Sequence, residues 1–275
     1  MFRKAKIGIA FGGGGARGFV HLGAIKALEE HGLVFDCISG TSAGSIVGAL
    51  LASGKKYDEM FNIAKEIKKK DIKLNKIPLM PSKTDGIENI LKENLGDINF
   101  EELKIPFSAV AVDLKSAKEV CISHGNLAKA VAGSCAVPGV FVPVEYGDML
   151  LADGGLQNTI PADVLRFMGC DYVISVDCNK SRLYGTDSPK VIDVITCSIR
   201  ILMKSNAIKG YLYSDIVIGP ETKQFKSTKI NDLQSMIEEG YKATIDAMPQ
   251  IRALFRKRKP FVNRNKPNSK DIMFV

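Results

Sequence analysis

Ser42 stands in Gly40-Thr41-Ser42-Ala43-Gly44, between a short apolar run and a stretch of small residues. A G-x-S-x-G at a strand-to-helix junction suits a nucleophile. Its glycines let the flanking chains pass close together, and the sharp turn lifts the hydroxyl out of the sheet. The helix that follows offers N–H groups and a dipole, which favour the negative charge that develops in acyl transfer. The competing reading is a serine that only caps that helix.

A second glycine-rich segment, Gly12-Gly13-Gly14-Gly15-Ala16-Arg17-Gly18, follows the apolar run from Lys6 to Phe11. Glycines let a backbone approach a ligand and turn its N–H groups toward an anion. Gly13, Gly15 and Gly18 also spell G-x-G-x-x-G, with Asp36 at about the distance a dinucleotide-binding fingerprint places its acid. An oxyanion hole serving Ser42 accounts for both glycine segments together, whereas a cofactor site accounts for one. A cation at position 17 sits against the helix dipole, which points to a role in the loop.

A serine hydroxyl needs a base, and histidine is the usual one. The histidines are His21, His31 and His124, and none follows position 124. His21 and His31 lie on the first expected helix and His124 in a turn after an edge strand, places of structural or solvated histidines, so a triad in the order serine, acid, histidine is excluded. A carboxylate acting directly on the serine remains, and Asp113, Asp153 and Asp177 all lie at expected strand ends. The pair Gly154-Gly155 after Asp153 permits the close approach that such a dyad requires, so Asp153 is preferred on spacing.

The elements that must position these residues alternate along the chain. Strands are expected at Lys6–Phe11, Val34–Ser39, Pro106–Asp113, Glu119–Ser123, Met149–Asp153, Asp171–Asp177 and Ile216–Ile218. Between them, helical patterns cover Arg17–His31, Ala43–Ser53, Tyr57–Lys70, Asn126–Gly133 and Pro161–Met168, and Asp85 is placed to cap a helix running to Leu95. Further helices run from about Val191 and over Asp232–Phe255. Asp71 to Thr84, with Pro78 and Pro81, is the segment best suited to a mobile loop or lid. Such alternation implies one α/β domain with a mainly parallel sheet covered on both faces.

The chain has 275 residues, 45% hydrophobic and 25% charged, with a formal net charge of +8. From Ile251 onward there are eight Lys or Arg residues against one acid, Asp271. This tail suits either plain solvation or peripheral contact with an anionic membrane surface; nucleic acid is not expected as a partner. Six scattered cysteines suggest neither a disulfide framework nor a zinc site. The longest uncharged run, Cys37–Gly54, is broken by Gly, Ser and Thr, so it reads as buried structure and not as a membrane span. No signal-peptide core is evident. A reduced, cytoplasmic protein is expected, with the inner membrane surface as its place of peripheral contact.

In order and content these blocks resemble the patatin-like phospholipase family. Gly13 to Gly18 (GGGARG) resembles its oxyanion loop, Gly40 to Gly44 (GTSAG) its nucleophile elbow, and Asp153 to Gly155 (DGG) its acid motif. Ser134-Cys135-Ala136-Val137-Pro138, with Phe141 and Pro143, resembles a structural block between them. The resemblance spans roughly residues 6 to 180. It implies a three-layer α/β/α domain over residues 6–250, followed by the basic tail 251–275. It further implies a dyad of Ser42 as nucleophile and Asp153 as general base. The oxyanion hole would come from Gly13, Gly14, Gly15 and Ala43, with Arg17 fixing or charging the loop. Gly18, Gly40, Gly44, Gly154 and Gly155 are the remaining motif positions. Neither metal nor cofactor is implied. The implied substrate is a lipid or other fatty-acyl ester, cleaved through an acyl-enzyme. Thioester hydrolysis or acyl transfer on the same serine is the alternative.

Overall fold

The computed structural model describes residues 4–70, 82–180, 185, 187–225, 232–256 and 272–275. Four apolar segments form adjacent parallel strands: β1 (Ile7–Phe11), β2 (Cys37–Thr41), β3 (Phe107–Asp113) and β7 (Tyr172–Val176). β8 (Ile216–Ile218) extends this sheet beside β7. Alternate side chains enter opposite layers, as the two-residue strand period demands. In β1, Ile9 and Phe11 face one core and Ala10 the other. Helices cover both faces. One layer holds α1 (Val20–Glu30), α2 (Ala43–Ala52), α3 (Tyr57–Lys70), α4 (Asp85–Leu95), α5 (Leu127–Ser134) and α8 (Leu233–Arg256). The other holds α6 (Ala162–Phe167) and α7 (Val191–Tyr213). The architecture is the expected three-layer α/β/α sandwich.

Two antiparallel additions to β3, set against the parallel β2, decide where the serine motif ends up. β4 (Lys118–Ile122) fills one edge of β3 along Ala109–Asp113. β2 pairs with β3 from Phe107 to Val110, and β6 (Met149–Asp153) pairs with it from Ala111 to Asp113. Since β4 already occupies the far edge, β2 and β6 share the near one and run toward each other. Thr41 stops at Val110, and Asp153 stops at the next residue, Ala111. Two chain ends therefore converge at one point on β3.

The structure departs from expectation in several places. The second strand starts at Cys37 and not at Val34, because the Asp36 side chain takes the Ile7 N–H (2.8 Å) and fixes the approach before the ladder begins. Thr84, not Asp85, is the residue that precedes α4. β5 (Val144–Tyr146) pairs with β6, and β9 (Ile272–Phe274) pairs with β4; neither was anticipated. The expected boundary at residue 251 falls inside α8, where Ile251 is fully buried. Residues 71–81 of the expected loop or lid lie outside the described residues, whereas Ser82 is tied to the backbone of Val140 and Val142 (2.9 and 2.8 Å). No helix among the described residues is long and apolar enough to cross a membrane.

Candidate active site

Ser42 has φ 53° and ψ −127°, and only Ala117 shares a left-handed φ among the described non-glycine residues. For a serine this conformation is strained, and strain of this kind persists only where the surroundings enforce it. The enforcement is visible. A Cβ on Gly44 would run into the Phe11 carbonyl, and one on Gly40 into that of Gly44, so the elbow closes only with glycine at both positions. The hydroxyl does not cap α2, which removes the bland reading of the motif. Instead the Ser42 N–H donates to the Ser134 hydroxyl (2.9 Å), which itself donates to the Val110 carbonyl (2.5 Å).

Asp153 is fully buried at the end of β6. Its Oδ1 accepts the Gly155 N–H (2.8 Å), and its Oδ2 has no hydrogen-bond partner of good geometry among the described residues. Burial pushes its pKa up to about 6, while the Ser42 hydroxyl and the Gly155 N–H oppose that rise. The end of α5 and the residues just after it serve both Ser42 and Asp153. Ser134 takes the Ser42 N–H, and the Ala136 carbonyl takes the Asp153 N–H (3.0 Å). The Cys135 thiol lies between them, against Ser45 (3.9 Å) and within reach of Ser42. In the sequence this block reads only as structural, so its part in joining the two sites was missed.

The other two acids at strand ends are occupied. Burial favours a high pKa for Asp113, but the Ser116 hydroxyl and the N–H groups of Leu150, Lys115 and Ser116 outweigh it and hold the carboxyl at about 2. Asp177 is raised by burial, and its oxygens are engaged by the Tyr211 hydroxyl (2.5 Å) and the Asn179 N–H (2.8 Å). His21 lies beneath the glycine loop with Nε2 against the Gly12 carbonyl (2.8 Å), and burial drops its pKa to about 4. It is therefore a neutral donor to that carbonyl at neutral pH. His31 bonds Ala27 and His124 bonds Ser123, so neither histidine belongs to the elbow.

The glycine loop packs directly on the elbow. Gly13 faces the Ser42 Cβ, and a Cβ on Gly18 would strike that of Ala43. The carbonyls of Gly12, Gly13 and Gly14 are held. That of Gly13 accepts from Asn179 Nδ2 (2.6 Å) and the Cys178 thiol (3.2 Å), and that of Gly14 accepts from Arg17 Nε (3.3 Å). In a planar trans peptide the next N–H points the opposite way. The N–H groups of Gly14 and Gly15 are thus turned away from these partners, and with that of Ala43 they take no partner among the described residues. The Gly13 N–H is different: it donates to the Thr159 carbonyl (3.0 Å), so Gly13 is not available as an oxyanion donor, contrary to expectation. Cys178 and Asn179 were also missed, because no local motif marks them. Their position follows only from β7 lying beside β1.

The dinucleotide alternative fails on placement. Asp36 precedes β2, at the opposite end of the sheet from the glycine loop, and its side chain is spent on Ile7. No group of His, Cys, Asp or Glu that could hold a metal occurs among the described residues.

Comparison with known proteins points to one family. The family model for patatin-like phospholipases matches residues 9–166, more than half of the chain. An uncharacterised NTE family protein of Mycobacterium tuberculosis is 35% identical over 180 residues, covering 64% of this chain and 50% of the relative. The neuropathy target esterase sws of Drosophila melanogaster is 33% identical over 181 residues, 62% of this chain and 13% of that protein. Lysophospholipase NTE1 of Mycosarcoma maydis is 27% identical over 281 residues, 88% of this chain and 15% of that protein. The chain thus spans half the length or less of these curated relatives. Among solved structures, VipD from Legionella pneumophila superposes with a TM-score of 0.55 at 16% identity, over 90% of this chain and 67% of its own, which supports the fold.

Proposed function

This chain belongs to the patatin-like phospholipase family, and from that premise we propose that it hydrolyses fatty-acyl esters of lipids with Ser42 as nucleophile and Asp153 as general base. The observation that carries the reading is the strained Ser42 elbow facing a buried carboxyl with one oxygen open. Asp153, ionised above about pH 6, accepts the hydroxyl proton as Ser42 Oγ attacks the acyl carbon. The carbonyl oxygen becomes an oxyanion, to which Gly14, Gly15 and Ala43 present N–H groups already turned outward. Collapse expels the alcohol, which takes the proton back from Asp153, and leaves the acyl group on Ser42. Water, deprotonated by the same carboxylate, then releases the fatty acid. Arg17, Cys178 and Asn179 act by holding the loop and do not touch the substrate.

The relatives named as esterase and lysophospholipase support a lysophospholipid or a related acyl ester as substrate. Release of fatty acid from lysophosphatidylcholine tests this, comparing the wild type with Ser42→Ala. Turnover by the wild type and a fall of at least about four orders of magnitude in the variant are expected. Equal release by both would sink the assignment.

A further inference from the structure

The flank of the site carries a surface that the reaction leaves unused. The inner side of α7 grips the segment following Asp153. The Met203 methyl lies against Gly155, the Met203 carbonyl accepts the Thr159 hydroxyl (2.6 Å), and Asn206 donates to the Leu156 carbonyl (2.5 Å). Its outer side is apolar and uncovered by the described residues. Val194, Ile201 and Ile208 recur every seven residues along it, with Leu212 beyond and Val191, Ile195 and Leu202 beside them. Leu202 and Ile208 are 60% and 59% exposed, values that a core-facing position would not show.

Three features favour a lipid surface as the occupant of this face. First, its two serines have hydroxyls that donate to their own helix, Ser198 to Val194 (2.9 Å) and Ser205 to Ile201 (3.2 Å), so they can leave water without losing a partner. Second, the stripe is wider than the single seam by which two helices pair, and it suits a helix lying flat in an interface. Third, the charges at its border are mainly cationic. Arg200 and Lys204 lie along it and Lys190 at its head, whereas the acid Asp193 is engaged by Ser188 (2.5 Å). Lys209 is drawn away from the stripe by its ion pairs with Glu119 and Asp163.

We propose that the outer face of α7 docks the protein on an anionic lipid surface, setting the Ser42–Asp153 site against the layer that supplies its substrate. The choice of lipid rests on the hydrolase reading above; the docking is measured without it. The probe is a vesicle of phosphatidylcholine and phosphatidylglycerol, and the variant is Ile201→Asn, Leu202→Ser, Ile208→Asn combined. Removing three exposed apolar side chains is expected to weaken vesicle partitioning by at least about tenfold. Hydrolysis of a dissolved short-chain ester and the Tm should stay at wild-type values, because none of the three touches the site or the core. Failure of the wild type to bind vesicles, or equal binding by the variant, would overturn the proposal. So would a dimer in the wild type that becomes a monomer in the variant while vesicle binding persists, since a second copy would then own the face. If vesicle binding depends on the face but no ester of either kind is cleaved, the docking stands and the hydrolase reading falls.

Discussion

A buried pair of carboxylates, Glu119 on β4 and Asp163 on α6, and a buried single one, Asp153 at the end of β6, differ in what meets their oxygens. Glu119 and Asp163 share Lys209 (2.8 and 2.7 Å) and both accept from the Asn158 amide (2.7 and 2.8 Å). Asp153, across β3 from Glu119, has neither a cation nor a hydrogen-bond partner for Oδ2 among the described residues. Burial raises the pKa of Glu119 and of Asp153 alike, but Lys209 opposes the rise only at Glu119. A buried acid whose partners are complete stiffens the fold. One left incomplete remains able to take a proton, at a cost in stability. The two groups are also joined mechanically. The Asn158 carbonyl takes the Thr41 hydroxyl (2.8 Å) and the Thr159 carbonyl takes the Gly13 N–H, so the complete group braces the strand end and loop that the incomplete one uses.

The contrast is sharpest under substitution. Asp153→Asn keeps the shape but removes the base, and kcat should fall by about 10²–10⁴-fold. The same variant should be more stable than the wild type at pH 8. The raised pKa means that the folded protein holds this proton longer than the unfolded chain does, so the wild type loses stability as pH rises from about 4 to about 6. A gain of about 2–3 kcal/mol follows for the variant, vanishing below pH 4, and denaturant titration across that range measures it. Lys209→Met should do the reverse. Two buried acids lose their cation, and stability should drop by about 3–5 kcal/mol while the folded fraction keeps most of its kcat. Equal stability losses in the two variants would erase the distinction between the groups. On the activity side, kcat/KM of the wild type should rise with pH through about 6 as Asp153 ionises. The smallest effect is expected for Ser134→Ala, which frees the Ser42 N–H that Ser134 fixes. It should lower kcat about tenfold with little change in KM, because a misplaced nucleophile affects the attack more than binding.

Much of the site was legible because close backbone approach leaves glycines behind. Gly44 records how tightly the elbow presses on β1, Gly40 how tightly it folds back on itself, and Gly154 the turn beside Val110. The missing histidine after position 124 was equally readable. What could not be read is register. That Thr41 and Asp153 stop at neighbouring residues of β3 depends on pairings between distant segments, and no local pattern carries that. The same limit hid Cys178 and Asn179, ordinary residues until β7 is laid beside β1. β9 escaped because it has three residues, too few for a period to show. The outer face of α7 shows the opposite difficulty: its apolar spacing reads as a core-facing stripe, and only its exposure shows otherwise.

The central claim is that Ser42 attacks and Asp153 takes its proton. Labelling with a fluorophosphonate, followed by peptide mapping, tests both parts in one measurement. The account predicts a single adduct on the Ser42 peptide, a labelling rate that rises through about pH 6, and slow labelling of Asp153→Asn with its fold intact. An adduct on any other residue, or labelling of Asp153→Asn at the wild-type rate, would contradict it.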